Sequence, residues 1–588
     1  MKRPHPKSGP LWQQARAAQQ AGHLQQAEKL ARQALGQHPG HHGILALLGT
    51  ISMQRGQSQH AVTWFQQACV AQPDALNHYN LAVALQASGQ LPNARNHYQD
   101  ALQLKPGFAP AWNNLGNVQE ALGLISDAQH CFQQAIRFNP SYTEAYNNLA
   151  RALKDSGDYA GAVKHYRQAR SLQPNNAVVH SNLLFLLSYN VLCNPQELLA
   201  AHQAWDQAHG GGPERAQTFR HDRHDDPERR LRIGYVSPDF KQHAASYFFE
   251  PLLAAHDRQQ VEVFCYAEVN NPDAVTQRLQ IQANHWCTTI GMSDEALAQR
   301  ICADGIDILI DLAGHTAGNR LKAFTYKPAP VQASYLGYCT TTGLATMDYW
   351  LTDTILYPEH SPELIAETPW RLDRCWLCYR PAADAPAVVM PQHDHITFGS
   401  LNELSKLTST VIAVWSEILR TLPRSRLLLK TRALTDPAMQ QQITARFAEQ
   451  GIASERLRLL PHSADYLPVY QTIDIALDPF PRTGGATTAD ALWMGVPVIT
   501  LAGERCIERQ GMGMLSAVGL EELITSSRED YIACALALAE DHDRRRHLRS
   551  SLRRRMADSP LCDAASLAHT LEQAYRQMWR RFLSGKKH

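Results

Sequence analysis

Gly484 and Gly485 lie in the run Asp478-Pro479-Phe480-Pro481-Arg482-Thr483-Gly484-Gly485-Ala486-Thr487-Thr488-Ala489-Asp490, which follows a β-rich segment and opens a helical one. Such a junction gathers unbonded backbone N–H groups and the positive end of a helix dipole at one point. Two glycines allow close backbone approach, and Thr487 and Thr488 add hydroxyl donors, so the chemistry on offer is phosphate binding. No Gly-Lys-Ser/Thr follows, which excludes a Walker loop. The same residues also suit a tight turn with a capped helix, and Asp490 by itself suits an acid favoured by the dipole of a first helical turn. His315, in Gly314-His315-Thr316 directly after a strand-like run, is expected in the cleft as a ligand-binding residue, with a structural histidine as the alternative. Cys375 and Cys378 have CxxC spacing, but no second pair or neighbouring histidine cluster completes a site, and no metal is expected.

These residues need a frame that presents loops at the ends of strands. From Leu231 onward, β-rich runs alternate with helical ones: 232–236, 261–266, 306–311, 396–398, 426–430, 473–478 and 496–500. Strands separated by helices predict parallel sheets. Two such sheets, in residues 231–384 and 385–588, make two Rossmann-like halves with a cleft between them, and ligands are expected at the carboxyl ends of the strands.

The first third is periodic. Pro39, Pro73, Pro106, Pro140 and Pro174 recur at the tetratricopeptide period, in step with Gly22, Gly56, Gly89, Gly123 and Gly157 and with columns of alanine. Small residues let antiparallel helices approach, Phe65, Tyr98, Phe132 and Tyr166 are expected to plug gaps between neighbouring repeats, and proline ends each second helix. Residues 8–190 are therefore predicted to form an α-solenoid, joined through a helical connection and linker at 191–230. Asn80, Asn114, Asn148 and Asn182 repeat along this arm, each followed by leucine. An amide at a fixed position of successive first helices can donate to and accept from an extended peptide backbone, so peptide binding is expected there, with a tolerated solvated asparagine as the plainer account.

Bulk composition limits the partners. The charge is balanced, 56 basic against 55 acidic residues, which gives no reason to expect nucleic acid or a membrane surface. No apolar run reaches spanning length, and twelve scattered cysteines suit a reducing compartment, so a cytoplasmic protein is expected.

Longer blocks carry a family resemblance. Leu231 to Phe240 followed by His243, Asp311-Leu312-Ala313-Gly314-His315-Thr316, Pro328 to Ala333 with Leu336-Gly337-Tyr338, Met347-Asp348-Tyr349, Asn402 to Lys406, Asp478 to Gly495, and Gln577-Met578-Trp579 resemble O-GlcNAc transferase and its bacterial and plant Spindly-type relatives. The resemblance implies a GT-B fold closed by a C-terminal helix, and metal-independent, inverting transfer of a sugar to protein Ser/Thr hydroxyls. The implied co-substrate is UDP-GlcNAc, with no separate cofactor. Acceptor proteins or peptides along the repeats are the implied partners, and a homodimer is compatible with it. By the same resemblance Lys406 contacts the diphosphate, the Gly484 to Thr488 turn supplies donors, and Asp490 holds the ribose. His243 serves as base or acceptor-positioning group.

Several positions depart from the family's pattern. Tyr466 replaces a histidine that packs on uracil, although an aromatic ring there can still stack. Glu403 replaces a glutamine, Ser405 a tyrosine, Cys339-Thr340 a Pro-Gly pair, and Arg482 adds charge to the glycine turn. These changes bear most on the donor, and transfer of fucose from GDP-fucose or glucose from UDP-glucose is the enzymatic alternative. An inactive repeat scaffold is the alternative from another class.

Overall fold

The computed structural model describes residues 9–189, 193–221 and 226–585. The start of the predicted solenoid at residue 8, its end at 190, and residues 191–192 and 222–225 of the predicted connection lie outside them. The chain divides into two compact units after Ser156.

The first unit is a run of antiparallel helix pairs, from Pro10–Gln20 to Thr143–Ser156. Its glycine column does what left-handed backbone requires: Gly22, Gly56, Gly89 and Gly123 all have φ between 71° and 83° in the turn inside each pair. Its alanine columns are fully buried, and Phe65 and Tyr98 of the ring column share an apolar cluster with Leu81, Ala82, Ala111 and Leu115 of the following repeats. A Cβ on Gly49 would fall 2.7 Å from the Phe65 ring and one on Gly116 2.5 Å from the Phe132 ring. The rings therefore fill space over the first helix of their own repeat, as well as bordering the next.

The second unit opens with helices Tyr159–Leu172, Ala177–Ser188 and Pro195–His209, so the fifth repeat ends among the α/β elements. Leu184 and Trp205 share one apolar cluster with Val236, Phe264 and Leu309 of the first sheet. That sheet holds β1 (Leu231–Ser237), β2 (Val261–Ala267), β3 (His285–Thr288), β4 (Ile308–Asp311), β5 (Val331–Ser334), β6 (Tyr349–Asp353) and β7 (Thr368–Leu372), in the order 3-2-1-4-5-6-7. The second sheet holds β8 (Thr397–Ser400), β9 (Arg426–Lys430), β10 (Leu457–Leu460), β11 (Ile475–Leu477), β12 (Val498–Leu501) and β13 (Ile524–Thr525), in the order 10-9-8-11-12-13. All pairings are parallel. Each sheet reverses its winding once, at β1/β4 and at β8/β11, and these switch points are where a doubly wound sheet opens a crevice. The last helix, Ala564–Leu583, crosses back to the first half. There Tyr575 meets Tyr235 at 3.1 Å, hydroxyl to hydroxyl, and Glu572 pairs with His256 at 2.8 Å.

Candidate functional site

The β8/β11 crevice collects the residues that the glycine turn called for. Asp478, directly after β11, accepts from Gly484 N–H at 2.6 Å and from the Thr500 hydroxyl at 2.8 Å. This folds the turn back on the strand end. Asp478 is buried, which raises its pKa to about 6 against the opposing pull of Lys406. A Cβ on Gly484 would meet Thr488 Oγ1 at 2.3 Å, whereas one on Gly485 finds only Gln510 at 3.9 Å. Gly484 is thus a packing requirement, and Gly485 leaves room in front of the helix Ala486–Trp493, whose N-terminus has no side-chain cap. Room, uncapped N–H groups and the dipole together favour an anion.

Lys406 reaches this turn from the 3₁₀ segment Leu404–Lys406 after β8. Its ammonium donates to Asn402 Oδ1 at 2.8 Å and to the Thr483 carbonyl at 2.9 Å, and Thr487 donates to the same Asn402 oxygen at 3.0 Å. Burial, with the Arg482 guanidinium beside it, lowers the Lys406 pKa to about 8. Arg482 is itself clamped. It lies over the Tyr189 ring, 3.8 Å from the centroid, and donates to Glu403 at 3.2 Å, while its Nη1 is buried with no hydrogen-bond partner among the described residues. The charge at Glu403 and the charge at Arg482 therefore compensate each other. The Tyr159 hydroxyl also neighbours this guanidinium, which stands beside Lys406.

Asp490 lies on the same helix, buried, with Tyr379 donating to Oδ1 and Tyr466 donating to Oδ2 at 2.7 Å. Burial raises its pKa, and the two hydroxyls oppose that. Tyr379 carries no local sequence signal, and the Tyr466 hydroxyl is spent on Asp490, which leaves its ring face for the expected stacking. From the first half, Tyr247 accepts from Gln242 at 2.7 Å and faces the Tyr379 ring at 6.3 Å between centroids. A cleft of about 730 Å³ opens beside this tyrosine group, lined by Gln242, Tyr247, Arg278, Arg380 and Tyr466. That volume is in the range of small-molecule sites.

His243 is on the loop after β1, next to the cleft-lining Gln242, with half of its side chain exposed and Nδ1 3.6 Å from Asp239 Oδ2. His315 is elsewhere, and the expectation of a cleft position is corrected. It has no exposed surface; Nε2 faces the Thr342 carbonyl at 2.8 Å and Nδ1 faces the Ser181 hydroxyl at 3.0 Å. Around it pack His202, Trp205 and Tyr338, so it joins the helices at 177–209 to the turn after β4. Arg509 is also structural, donating to the carbonyls of Ile355 and Gly503. In the loop that departs at Cys339-Thr340, Thr341 and Thr342 donate to buried Glu367 and Cys339 receives the Gln510 amide.

Two members of the asparagine column are bonded from repeat to repeat. Asn114 donates to the Tyr79 hydroxyl at 3.1 Å, and Asn148, which is buried, donates to Asn113 Oδ1 at 3.0 Å. Asn182 also has a partner, and Asn80 is half-buried. Part of the amide capacity expected for peptide therefore holds neighbouring repeats together.

Comparison with known proteins agrees with this arrangement. The model of glycosyl transferase family 41 matches residues 214–369 and 387–571, and tetratricopeptide models match 13–75, 84–123, 109–142 and 143–176. The chain belongs to glycosyl transferase family 41. A solved mutant of the Thermobaculum terrenum O-GlcNAc transferase superposes with a TM-score of 0.81 at 34% identity, over 87% of this chain and 98% of that one. Among curated relatives, the Arabidopsis thaliana protein SPINDLY, described as a probable UDP-N-acetylglucosamine–peptide N-acetylglucosaminyltransferase, is 38% identical over 61% of this chain and 41% of its own length. SEC of the same plant, described in the same words, is 32% identical over 61% of this chain and 38% of its own length. The chain thus spans about two fifths of the length of the curated relatives it matches.

Proposed function

We propose that this chain transfers N-acetylglucosamine from UDP-N-acetylglucosamine to serine or threonine hydroxyls of proteins, with inversion at the anomeric carbon and without a required metal. The observation that carries this reading is the convergence of Lys406, the Gly484 N–H turn and an uncapped helix N-terminus at the switch point of the second sheet. As the bond from the anomeric carbon to the diphosphate breaks, charge grows on the leaving oxygens. An ammonium, a neighbouring guanidinium and a helix terminus are positive groups fixed in place for that charge. Asp490 offers carboxylate oxygens for ribose hydroxyls, with Tyr379 and Tyr466 holding it in place.

On the opposite face, the acceptor oxygen attacks the anomeric carbon and loses its proton. His243 is the group suited to take it, since imidazole offers an acceptor nitrogen and the Asp239 carboxylate lies 3.6 Å from the other nitrogen, Nδ1. The repeats supply the acceptor's binding surface, through amide capacity left over from the ladder contacts.

The test is a thermal-shift panel of UDP, UDP-N-acetylglucosamine, UDP-glucose, GDP and GDP-fucose, with and without EDTA, followed by label transfer to a serine peptide. Stabilisation by uridine ligands that survives EDTA, with label transferred from the N-acetylglucosamine donor, is the expected result. A guanosine preference would move the donor to GDP-fucose, and no shift with any ligand would favour an inactive scaffold.

A further inference from the structure

We propose that His78, His97 and Asp100 in the first compact unit form a binding site for one divalent transition-metal ion of the zinc class. His78 lies on the helix Ala75–Ala87, and His97 and Asp100 are one turn apart on its antiparallel neighbour Leu91–Leu104. The two Nδ1 atoms are 3.1 Å apart, and each is 3.4 Å from Asp100 Oδ2. Tetrahedral zinc with bonds of about 2.0–2.1 Å to nitrogen and oxygen needs ligand-to-ligand edges of roughly 3.3–3.4 Å. The observed triangle is close to one face of that tetrahedron.

The donor balance points the same way. Two neutral imidazoles that face each other through the same nitrogen can place only one proton between them, and the carboxylate adds further lone pairs. The cluster has acceptors in excess, which an ion would satisfy. Repeat packing does not ask for these residues: the equivalent positions are Leu45, Trp64 and Gln67 in the preceding repeat and Trp112, Cys131 and Gln134 in the following one. The helices that carry the trio are held by buried Ala82, Ala94 and Ala101, so the ligand atoms converge from fixed backbones. The side chains are 16%, 30% and 45% exposed, which leaves an entry path and room for water as the fourth ligand. Two imidazoles and a carboxylate with one open position suit zinc, and cobalt or nickel as substitutes. The wide separation of His78 from His97-x-x-Asp100 hides this set from any spacing motif.

Chelator-treated full-length protein would be titrated with Zn²⁺ against a competing chromophoric chelator, and with Co²⁺ while recording visible absorption. One equivalent bound, a rise in Tm and a tetrahedral cobalt spectrum are expected. Asp100→Asn, nearly isosteric and partly exposed, and His97→Gln should each weaken binding at least tenfold and remove the cobalt signature. Unchanged affinity in both variants would place the ion at other histidines, and no stoichiometric uptake would reduce the trio to an imidazole–imidazole hydrogen bond; either result overturns the site.

Discussion

Tyr159 donates its hydroxyl to the carbonyl oxygen of Ser405, 2.9 Å away, and so ties a helix of the fifth repeat to the 3₁₀ segment that carries Lys406. Arg482 over Tyr189 makes a second such tie, from the glycine turn to the end of the next repeat helix. The last repeat therefore holds both walls of the proposed diphosphate site. Removing one partly buried hydrogen bond of this kind is worth about 1 kcal/mol. If it loosens Lys406, Tyr159→Phe should lower turnover by roughly fivefold with a small fall in Tm. A Tm change without any change in kcat would confine Tyr159 to stability.

Arg482 gives a charge test. Arg482→Gln removes the positive charge beside Lys406 and should weaken UDP binding by roughly tenfold or more. Glu403→Gln removes the competing carboxylate and should leave UDP binding equal or tighter. Isothermal titration of the two variants separates the effects; weakening by both would mean that the Arg482–Glu403 pair serves only to hold the loop.

The two glycines of the turn should behave differently. Gly484→Ala places a methyl against Thr488 and Asp478, an overpacking cost of about 1–3 kcal/mol in stability, so Tm should fall and the displaced turn should bind nucleotide more weakly. Gly485→Ala meets nothing closer than 3.9 Å in the free protein, so Tm should stay near wild type. Its methyl would still intrude on a bound anion. Equal losses of Tm in both variants would contradict the distinction.

Much of this arrangement was legible from residue types. The glycine and alanine columns gave the repeats because left-handed turns and close helix contacts admit few alternatives. The long apolar runs gave the central strands. Strands such as β3, which is short and largely exposed, and β7, which contains Pro369, carry no such pattern, and their pairing comes from the sheet around them. In the site, the glycine turn was visible locally, whereas Tyr159, Tyr189 and Tyr379 lie hundreds of residues from the groups they touch or on an irregular segment. His315 was misplaced for a related reason: a histidine after a strand reads as a cleft residue until helices 177–188 and 195–209 are known to cover it.

That covered cluster predicts an acid-sensitive protein. Burial lowers the pKa of His202 to about 4 and that of His315 well below its ordinary value. Below about pH 6.5 the unfolded chain takes up protons that these folded histidines refuse, so stability rises with pH in this window and falls on acidification. Each contributes about 1.4 kcal/mol per pH unit until its folded pKa is reached. Buried Asp311 and Asp478, with pKa values raised to about 7 and about 6, slope the other way in this window, so the difference in urea unfolding between wild type and His202→Gln from pH 7 to 5 isolates the histidine's share. An unchanged slope would assign the acid sensitivity to other groups.

Lys406 sets the opposite limb, in activity. Its pKa of about 8 means that the free protein loses this positive charge as pH rises through 8, before any ordinary lysine would. If the ammonium meets the leaving diphosphate, kcat/KM for the donor should fall about tenfold per pH unit above that point. A bound dianion raises the lysine's pKa, so kcat should hold to higher pH than kcat/KM does. Lys406→Ala should reduce kcat by roughly 10²–10³-fold and abolish the alkaline limb. Lys406→Arg, charged at every accessible pH, should retain some activity and also lack the limb. A wild-type profile that stays flat through about pH 9, with an unaltered profile in Lys406→Arg, would remove this lysine from leaving-group stabilisation and leave the charge to Arg482 and the helix terminus.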